Sequence, residues 1–287
     1  MIVTRFAPSP TGYLHLGHAF AAITAHEAAR RAGGRFLLRI EDIDCSRCRP
    51  EFEAAIFEDL AWLELEWAEP VLRQSERLSE YRSALDLLDA MGLLYPCFCT
   101  RSDIAAEIAR SAAAPHGPEG PLYPGICRNL SELERRSRLE SGTPHALRLD
   151  VARAVARAGQ LTFEERGSGL NGKNGIITVN PLPFGDIVLA RKDTPASYHL
   201  AVVIDDAFQG VTLVTRGNDL FAATHVQRLL QALLELPAPT YAHHPLILDE
   251  HGRKFSKRDR SVTLRDMRAA GVTPPEIRAR LAMAAQS

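Results

Sequence analysis

The chain has 287 residues with a formal net charge of −1, 46% hydrophobic and 24% charged, proportions that give a globular protein room for one large or two small domains. A near-neutral balance excludes binding RNA through an overall positive field, so any RNA contact must come from local basic patches such as 253–260, or 135–138 if that is not simply a solvated helix face. No apolar run approaches the ~20 residues of a membrane helix and no basic, apolar leader opens the sequence, so a cytoplasmic protein with no membrane contact is expected. In chain order, the pattern predicts a strand over 2–6, a helix over 16–31, a strand over 35–40 and helices over 51–63 and 74–91, the last closed by Gly92. Such alternation implies parallel strands joined by crossover helices. From 95 to about 185 it breaks into Cys, Gly, Pro and charge, with short strands such as 146–150, and reads as an insertion. It resumes with strands over 198–204 and 211–214, a helix over 220–236 and a strand near 243–248, followed by two short helices after Leu264 and Pro275. The expected fold is α/β, a doubly wound parallel sheet in two halves, 1–94 and 186–248, with the insertion at 95–185 and a C-terminal segment at 249–287.

Between the first strand and first helix runs Phe6-Ala7-Pro8-Ser9-Pro10-Thr11-Gly12-Tyr13-Leu14-His15-Leu16-Gly17-His18. A loop there sets phosphate at a helix N-terminus, where free N–H groups and the helix dipole attract anions, and Gly12 and Gly17 let the backbone come close. His15 and His18, three apart, share one face. Alone, such a pair reads more readily as surface or core-edge histidines. A second phrase, Lys254-Phe255-Ser256-Lys257-Arg258, sets cations beside a small hydroxyl and suits a developing pyrophosphate charge, although alone it reads as a solvated basic loop. Together they point to an ATP site for adenylate formation. Its candidates are His15, Gly17, His18, Lys254 and Lys257 for ATP, with His15, His18 and Lys257 catalytic.

These phrases resemble the two signature motifs of class I aminoacyl-tRNA synthetases, with Leu16 in the first and Phe255 and Arg258 in the second as variants. The run from Arg5 to Gly12, with Arg39-Ile40-Glu41-Asp42-Ile43-Asp44, is similar to the glutamyl and glutaminyl branch. Tyr198 to Asp206, Gly210-Val211-Thr212 and Arg216-Gly217-Asn218-Asp219-Leu220 continue the likeness in order. It implies a Rossmann-like catalytic core and a two-step ligase: glutamate and Mg2+-ATP give an adenylate, and an RNA hydroxyl then takes the glutamyl group. Full-length members continue into domains that hold the tRNA stem and read the anticodon, whereas this sequence ends at Ser287. That plan is similar to the truncated branch that glutamylates queuosine in the anticodon of tRNA(Asp), so no anticodon-binding domain, a monomer, and the partners ATP, L-glutamate and queuosine-bearing tRNA(Asp) are expected. The alternatives are a catalytic fragment that charges a tRNA 3′ end and an inactive, zinc-stapled RNA-binding paralogue. A nucleotidyltransferase of the same fold leaves Arg5, Glu41 and Arg216 unexplained.

Glutamate carries two carboxylates and one ammonium, and buried charges need partners, so its site should hold two cations and an anion. Arg5 and Arg216 supply the cations and Glu41 the anion, although any one of them alone could be a surface salt bridge. The resemblance implies Arg5 with Tyr198 for the side-chain carboxylate, Arg216 for the α-carboxylate and Glu41 with Ser9 for the ammonium, with Ala7 completing the set. Val202 and Leu220 stand where glutamyl enzymes carry Asn and Trp. Losing the amide removes a donor to the side-chain carboxylate and predicts weaker glutamate binding.

Five cysteines, an odd number without an export signal, argue for thiols or metal ligands over a disulfide framework. Cys97, Cys99 and Cys127 give zinc three of four tetrahedral ligands, or are three buried free thiols. Chemistry alone favours His116 or a carboxylate as the fourth ligand. The truncated enzymes carry Cys-x-Cys and Tyr-x-x-x-Cys in this insertion, so the resemblance implies Tyr123 and one structural zinc that staples the insertion and does no chemistry. Cys45 and Cys48 are expected to be free thiols, with a redox pair or a four-thiolate site shared with Cys97 and Cys99 as alternatives.

Overall fold

The computed structural model describes residues 1–110, 116–118, 120–247 and 262–284. Strands β1 (Val3–Phe6) and β2 (Arg35–Ile40) pair in parallel, Val3 opposite Arg35. The crossover between them is α1 (Leu16–Arg31), which buries Ala19, Ala22, Ala25 and Ala29. Their three- and four-residue spacing makes one stripe of small side chains, and the helix can lie close to the sheet. Helix α2 (Pro50–Trp62) opens with a proline in its first turn, where the missing N–H costs no helical bond, and leads to β3 (Ala68–Arg73), parallel to β2 at the sheet edge. The sequence pattern gave no strand here, because Glu69 and Pro70 interrupt it and neither face is fully buried. The helix expected over 74–91 divides into a 3-10 turn (Gln74–Arg77) and α3 (Leu78–Ala90). Gly92, at φ 67°, ends it by donating to the Asp89 carbonyl at 2.7 Å.

The middle of the chain contains β4 (Leu94–Cys97), α4 (Arg101–Arg110), the short pair β5 (His116–Gly117) and β6 (Gly120–Pro121), α5 (Glu132–Glu140), β7 (Ala146–Leu149), α6 (Val151–Ala158), β8 (Thr162–Glu165), β9 (Gly175–Thr178) and β10 (Ile187–Ala190). Beyond it follow α7 (Tyr198–Phe208), β11 (Leu213–Gly217), α8 (Phe221–Leu233), β12 (Thr240–His244), α9 (Leu264–Ala269) and α10 (Pro274–Ala284). Strand pairing crosses the limits expected for the insertion on both sides. β8 lies inside 95–185 but pairs in parallel with β12, in the order β11-β12-β8-β9, whereas β10 lies beyond 185 and joins β7 and β4 in an antiparallel sheet.

The strand expected over 198–204 is instead helix α7. Ser197 caps it, accepting a hydrogen bond from the Leu200 N–H at 3.4 Å. His199 to Val203 are all buried, so neither period shows in the pattern, and Val202, Val203 and Ile204 are β-branched and favour a strand locally. The strands expected over 211–214 and 243–248 are β11 and β12, displaced by two to four residues.

Thr212 donates its N–H to the Val3 carbonyl at 3.0 Å, setting β11 beside β1. Sheet order thus reverses direction at β1 and β11, and the carboxyl ends there are where doubly wound sheets bind ligands. Helices α9 and α10 return to this half and bury Leu264, Met267, Ile277 and Leu281 against a core that includes Leu14, Phe36 and Leu60. Among the described residues no helix is long and apolar enough to cross a membrane.

Candidate active site

His15 is the N-cap of α1. Its Nδ1 accepts from the Gly17 N–H at 3.1 Å, and His18 Nδ1 accepts from the His15 N–H at 3.2 Å, a capping box built from two histidines with ring centroids 3.8 Å apart. With both Nδ1 atoms accepting, a neutral ring carries its proton on Nε2. Two such donors therefore stand at the positive end of a helix. Thr263 bridges to His15, and Leu264 donates to the Leu14 carbonyl at 2.8 Å. The chain that follows the second phrase is thus stitched to the first. Lys254 and Lys257 themselves lie outside the described residues.

The amino-acid candidates occupy two buried groups. In one, Arg5 Nε and Arg39 Nη1 both donate to Asp206 Oδ1, at 3.0 and 2.7 Å, and Arg39 Nη2 reaches Glu41 at 3.3 Å. Burial pushes the Asp206 carboxyl up, but Arg5 and Arg39 outweigh it and hold the group below the usual range. Glu41 goes the other way: burial raises it, and Arg39 and Arg5 only partly offset that. In the second group Arg216 donates to His243 Nε2 (3.1 Å), the Tyr198 hydroxyl (3.2 Å), Gln227 Oε1 (2.7 Å) and Thr224 Oγ1 (2.6 Å). Arg216 is 5% exposed and, among the described residues, pairs with no carboxylate. The Tyr198 hydroxyl is thus a direct partner of Arg216. Ser9 and Glu41 line one side of a cleft of about 590 Å³ beside Tyr198, and Arg148, Tyr123 and Asp186 from the middle of the chain line another part of it. Ala7 is half-buried in the loop just after β1.

Val202 is buried one helical turn beyond Tyr198, and Leu220 is half-buried just before α8. The sequence reading missed Arg39, Asp206, Thr224, Gln227, His243 and Glu165 as members of the site. One signal was available for Arg39: a guanidinium inside Phe36-Leu37-Leu38-Arg39-Ile40 must be buried, and a buried cation needs an anion.

Cys97, Cys99 and Cys127 bring their sulfurs within 4.8 Å of one another. The Tyr123 hydroxyl lies 3.4 Å from Cys97 Sγ and 3.6 Å from Cys99 Sγ. Three soft sulfurs and one phenol oxygen converging this closely fit a tetrahedral zinc ion. Arg148 covers the opposite side of this corner, its guanidinium carbon 3.8 Å from the Tyr123 ring centre. Cys45 is exposed and Cys48 half-buried, both are free thiols, and neither belongs to the sulfur cluster among the described residues. Burial, aided by Asp42 and Asp44, pushes the Cys48 thiol up to about 11, which makes it a poor nucleophile.

Residues 1–284 match the family model of the catalytic domain of class I tRNA synthetases of the E and Q type. The chain belongs to that family. It is thus a ligase of the aminoacyl-tRNA synthetase type, with the α/β catalytic fold of class I. This synthetase is 52% identical over 280 residues to the glutamyl-Q tRNA(Asp) synthetase of Rhodobacter capsulatus, covering 96% of the chain and 98% of that protein. It is 40% identical to the glutamate–tRNA ligase of Aquifex aeolicus, covering 95% of the chain but 55% of that protein. Among solved structures, the glutamate tRNA ligase of Elizabethkingia meningosepticum in complex with its amino acid superposes with a TM-score of 0.72 at 30% identity, over 90% of this chain and 52% of that one.

Proposed function

We propose that the synthetase activates L-glutamate with ATP as glutamyl-adenylate and passes the glutamyl group to a hydroxyl of queuosine in the tRNA(Asp) anticodon. The observation that carries the first half is buried Arg216, a fork whose described partners are all neutral. A guanidinium so placed is completed by a carboxylate. Glu41 with Ser9 takes the ammonium, and Arg5, whose Nη2 has no hydrogen-bond partner among the described residues, takes the second carboxylate.

In the first step a carboxylate oxygen of glutamate attacks the α-phosphorus of ATP, which arrives with its Mg2+, and the bond to the β-phosphate oxygen breaks. Negative charge grows on the departing pyrophosphate, and the Nε2–H groups of His15 and His18, the first N–H groups of α1, Lys254 and Lys257 stabilise it. In the second step an RNA hydroxyl oxygen attacks the activated carbonyl and AMP leaves. Positioning supplies most of the rate in both. Zinc held by Cys97, Cys99, Tyr123 and Cys127 would tie β4 to the 123–127 segment and take no part in bond making. Metal analysis of the purified protein should find one zinc per chain, lost in Cys127→Ser.

The base-directed acceptor is supported by the names of the relatives that the chain matches over most of their length. A tRNA loop with unstacked bases is also the kind of RNA proteins usually read. Glutamate-dependent pyrophosphate exchange without tRNA tests activation, and a silent assay would refute it. Mass analysis of queuosine-containing and queuosine-free tRNA(Asp) after incubation with ATP and glutamate tests the acceptor. Glutamate should appear only on the former; equal glutamylation of both would favour the 3′ end.

A further inference from the structure

Behind Arg216 lies a row of buried polar groups that the proposed chemistry does not use. Glu165, at the end of β8, is 1% exposed, as is His243 on β12. Glu165 Oε1 accepts two backbone N–H groups, from Gly167 at 2.7 Å and His243 at 2.9 Å. Gly167 makes that approach possible, since a Cβ there would fall on the His243 backbone. The other carboxylate oxygen, Oε2, faces His243 Nδ1. A carboxylate can only accept, so Nδ1 carries the proton and Nε2 presents a lone pair. That lone pair faces Arg216 Nε–H at 3.1 Å. Burial, with Arg216 beside it, keeps the imidazole neutral against the opposite pull of Glu165. The other tautomer would set an N–H against the guanidinium N–H.

We infer that Glu165 and His243 are positioning residues for substrate recognition: Glu165 holds His243 as the Nδ1–H tautomer, and His243 in turn aims the Arg216 fork at the amino-acid carboxylate. The inference rests on Arg216 as a carboxylate ligand. Glu165→Gln tests it with almost no change of shape. The two backbone N–H groups hold the amide oxygen where Oε1 was, so the NH2 faces Nδ1 and drives the imidazole proton to Nε2, donor against donor. Wrong-tautomer substitutions of this kind leave geometry intact and damage function.

Nitrogen-15 NMR of histidine-labelled protein should place the His243 proton on Nδ1 in the wild type and on Nε2 in Glu165→Gln. Pyrophosphate exchange should show KM for glutamate raised about tenfold or more, with KM for ATP unchanged and kcat within about threefold. A wild-type proton on Nε2, or an imidazolium, overturns the inference, and that measurement needs no variant to fold. An unchanged glutamate KM in folded Glu165→Gln overturns it too. Arg216→Lys separates the two ideas. If that variant also leaves glutamate KM unchanged, the reading of Arg216 itself has failed; if it raises KM while Glu165→Gln does not, the relay alone has failed.

Discussion

Three buried arginines stand on neighbouring strands, Arg5 on β1, Arg39 on β2 and Arg216 on β11, and they are wired differently. Arg5 and Arg39 meet two carboxylates, Asp206 and Glu41, so cations and anions balance within the fold. Arg216 has four partners of its own, all neutral. A buried guanidinium without a counter-charge is costly, and a structure that only needed to be stable would replace it with packed apolar groups. The first group locks β1, β2 and α7 together while keeping Arg5 and Glu41 for the proposed substrate contacts, and the second has room for a counter-charge that the fold itself does not supply.

The largest expected effect breaks the balanced group. Asp206→Ala removes the carboxylate that Arg5 and Arg39 share, leaves Glu41 alone against two buried cations, and should cost about 3–5 kcal/mol in urea unfolding; a loss under about 1 kcal/mol would show that the group does not hold the strands. Asp59 offers a third wiring, a fully buried carboxylate with no hydrogen bond to either oxygen and Arg268 at 3.8 Å. An acid can escape by protonating, and burial, only partly offset by Arg268, raises this one to about 6. Because the folded value exceeds the unfolded one, its contribution is fully present below about pH 4 and is lost as pH rises through 6. Asp59→Asn should remove that slope and gain about 2–3 kcal/mol over wild type at pH 7.5 relative to pH 4, measured by urea melts at both values. Arg216→Lys keeps the charge but loses the fork. It should fold normally and raise KM for glutamate about 30-fold, roughly 2 kcal/mol, with KM for ATP unchanged. Smallest is Val202→Asn, which puts an amide one turn from Tyr198. It should lower glutamate KM about threefold and cost about 1 kcal/mol of stability.

The sequence made most of the first half legible because its signals are local. The alanine stripe and the glycines around it placed α1 and β2 to the residue. α7 was misread because burial on every side erases the period that separates helix from strand, and β3 because an edge strand with a proline has little period to lose. In the candidate site, Arg5, Glu41, Arg216 and the two histidines are proposed from motifs and from the charges glutamate carries. Their supports could not be picked out this way, since Arg39 finds Asp206 across 167 residues and His243 finds Glu165 across 78. Partners so distant are chosen by topology, and pairing is what a single sequence leaves unsaid.

The histidine cap of α1 ties chemistry to folding in one pair of rings. Each ring's Nδ1 accepts a backbone N–H at the helix start, while its Nε2–H is the donor proposed for pyrophosphate. Replacing His15 or His18 by alanine thus deletes two things at once. Asparagine at position 15 can still accept from the Gly17 N–H while lacking the Nε2 donor, and so divides the role of holding the helix from that of meeting pyrophosphate.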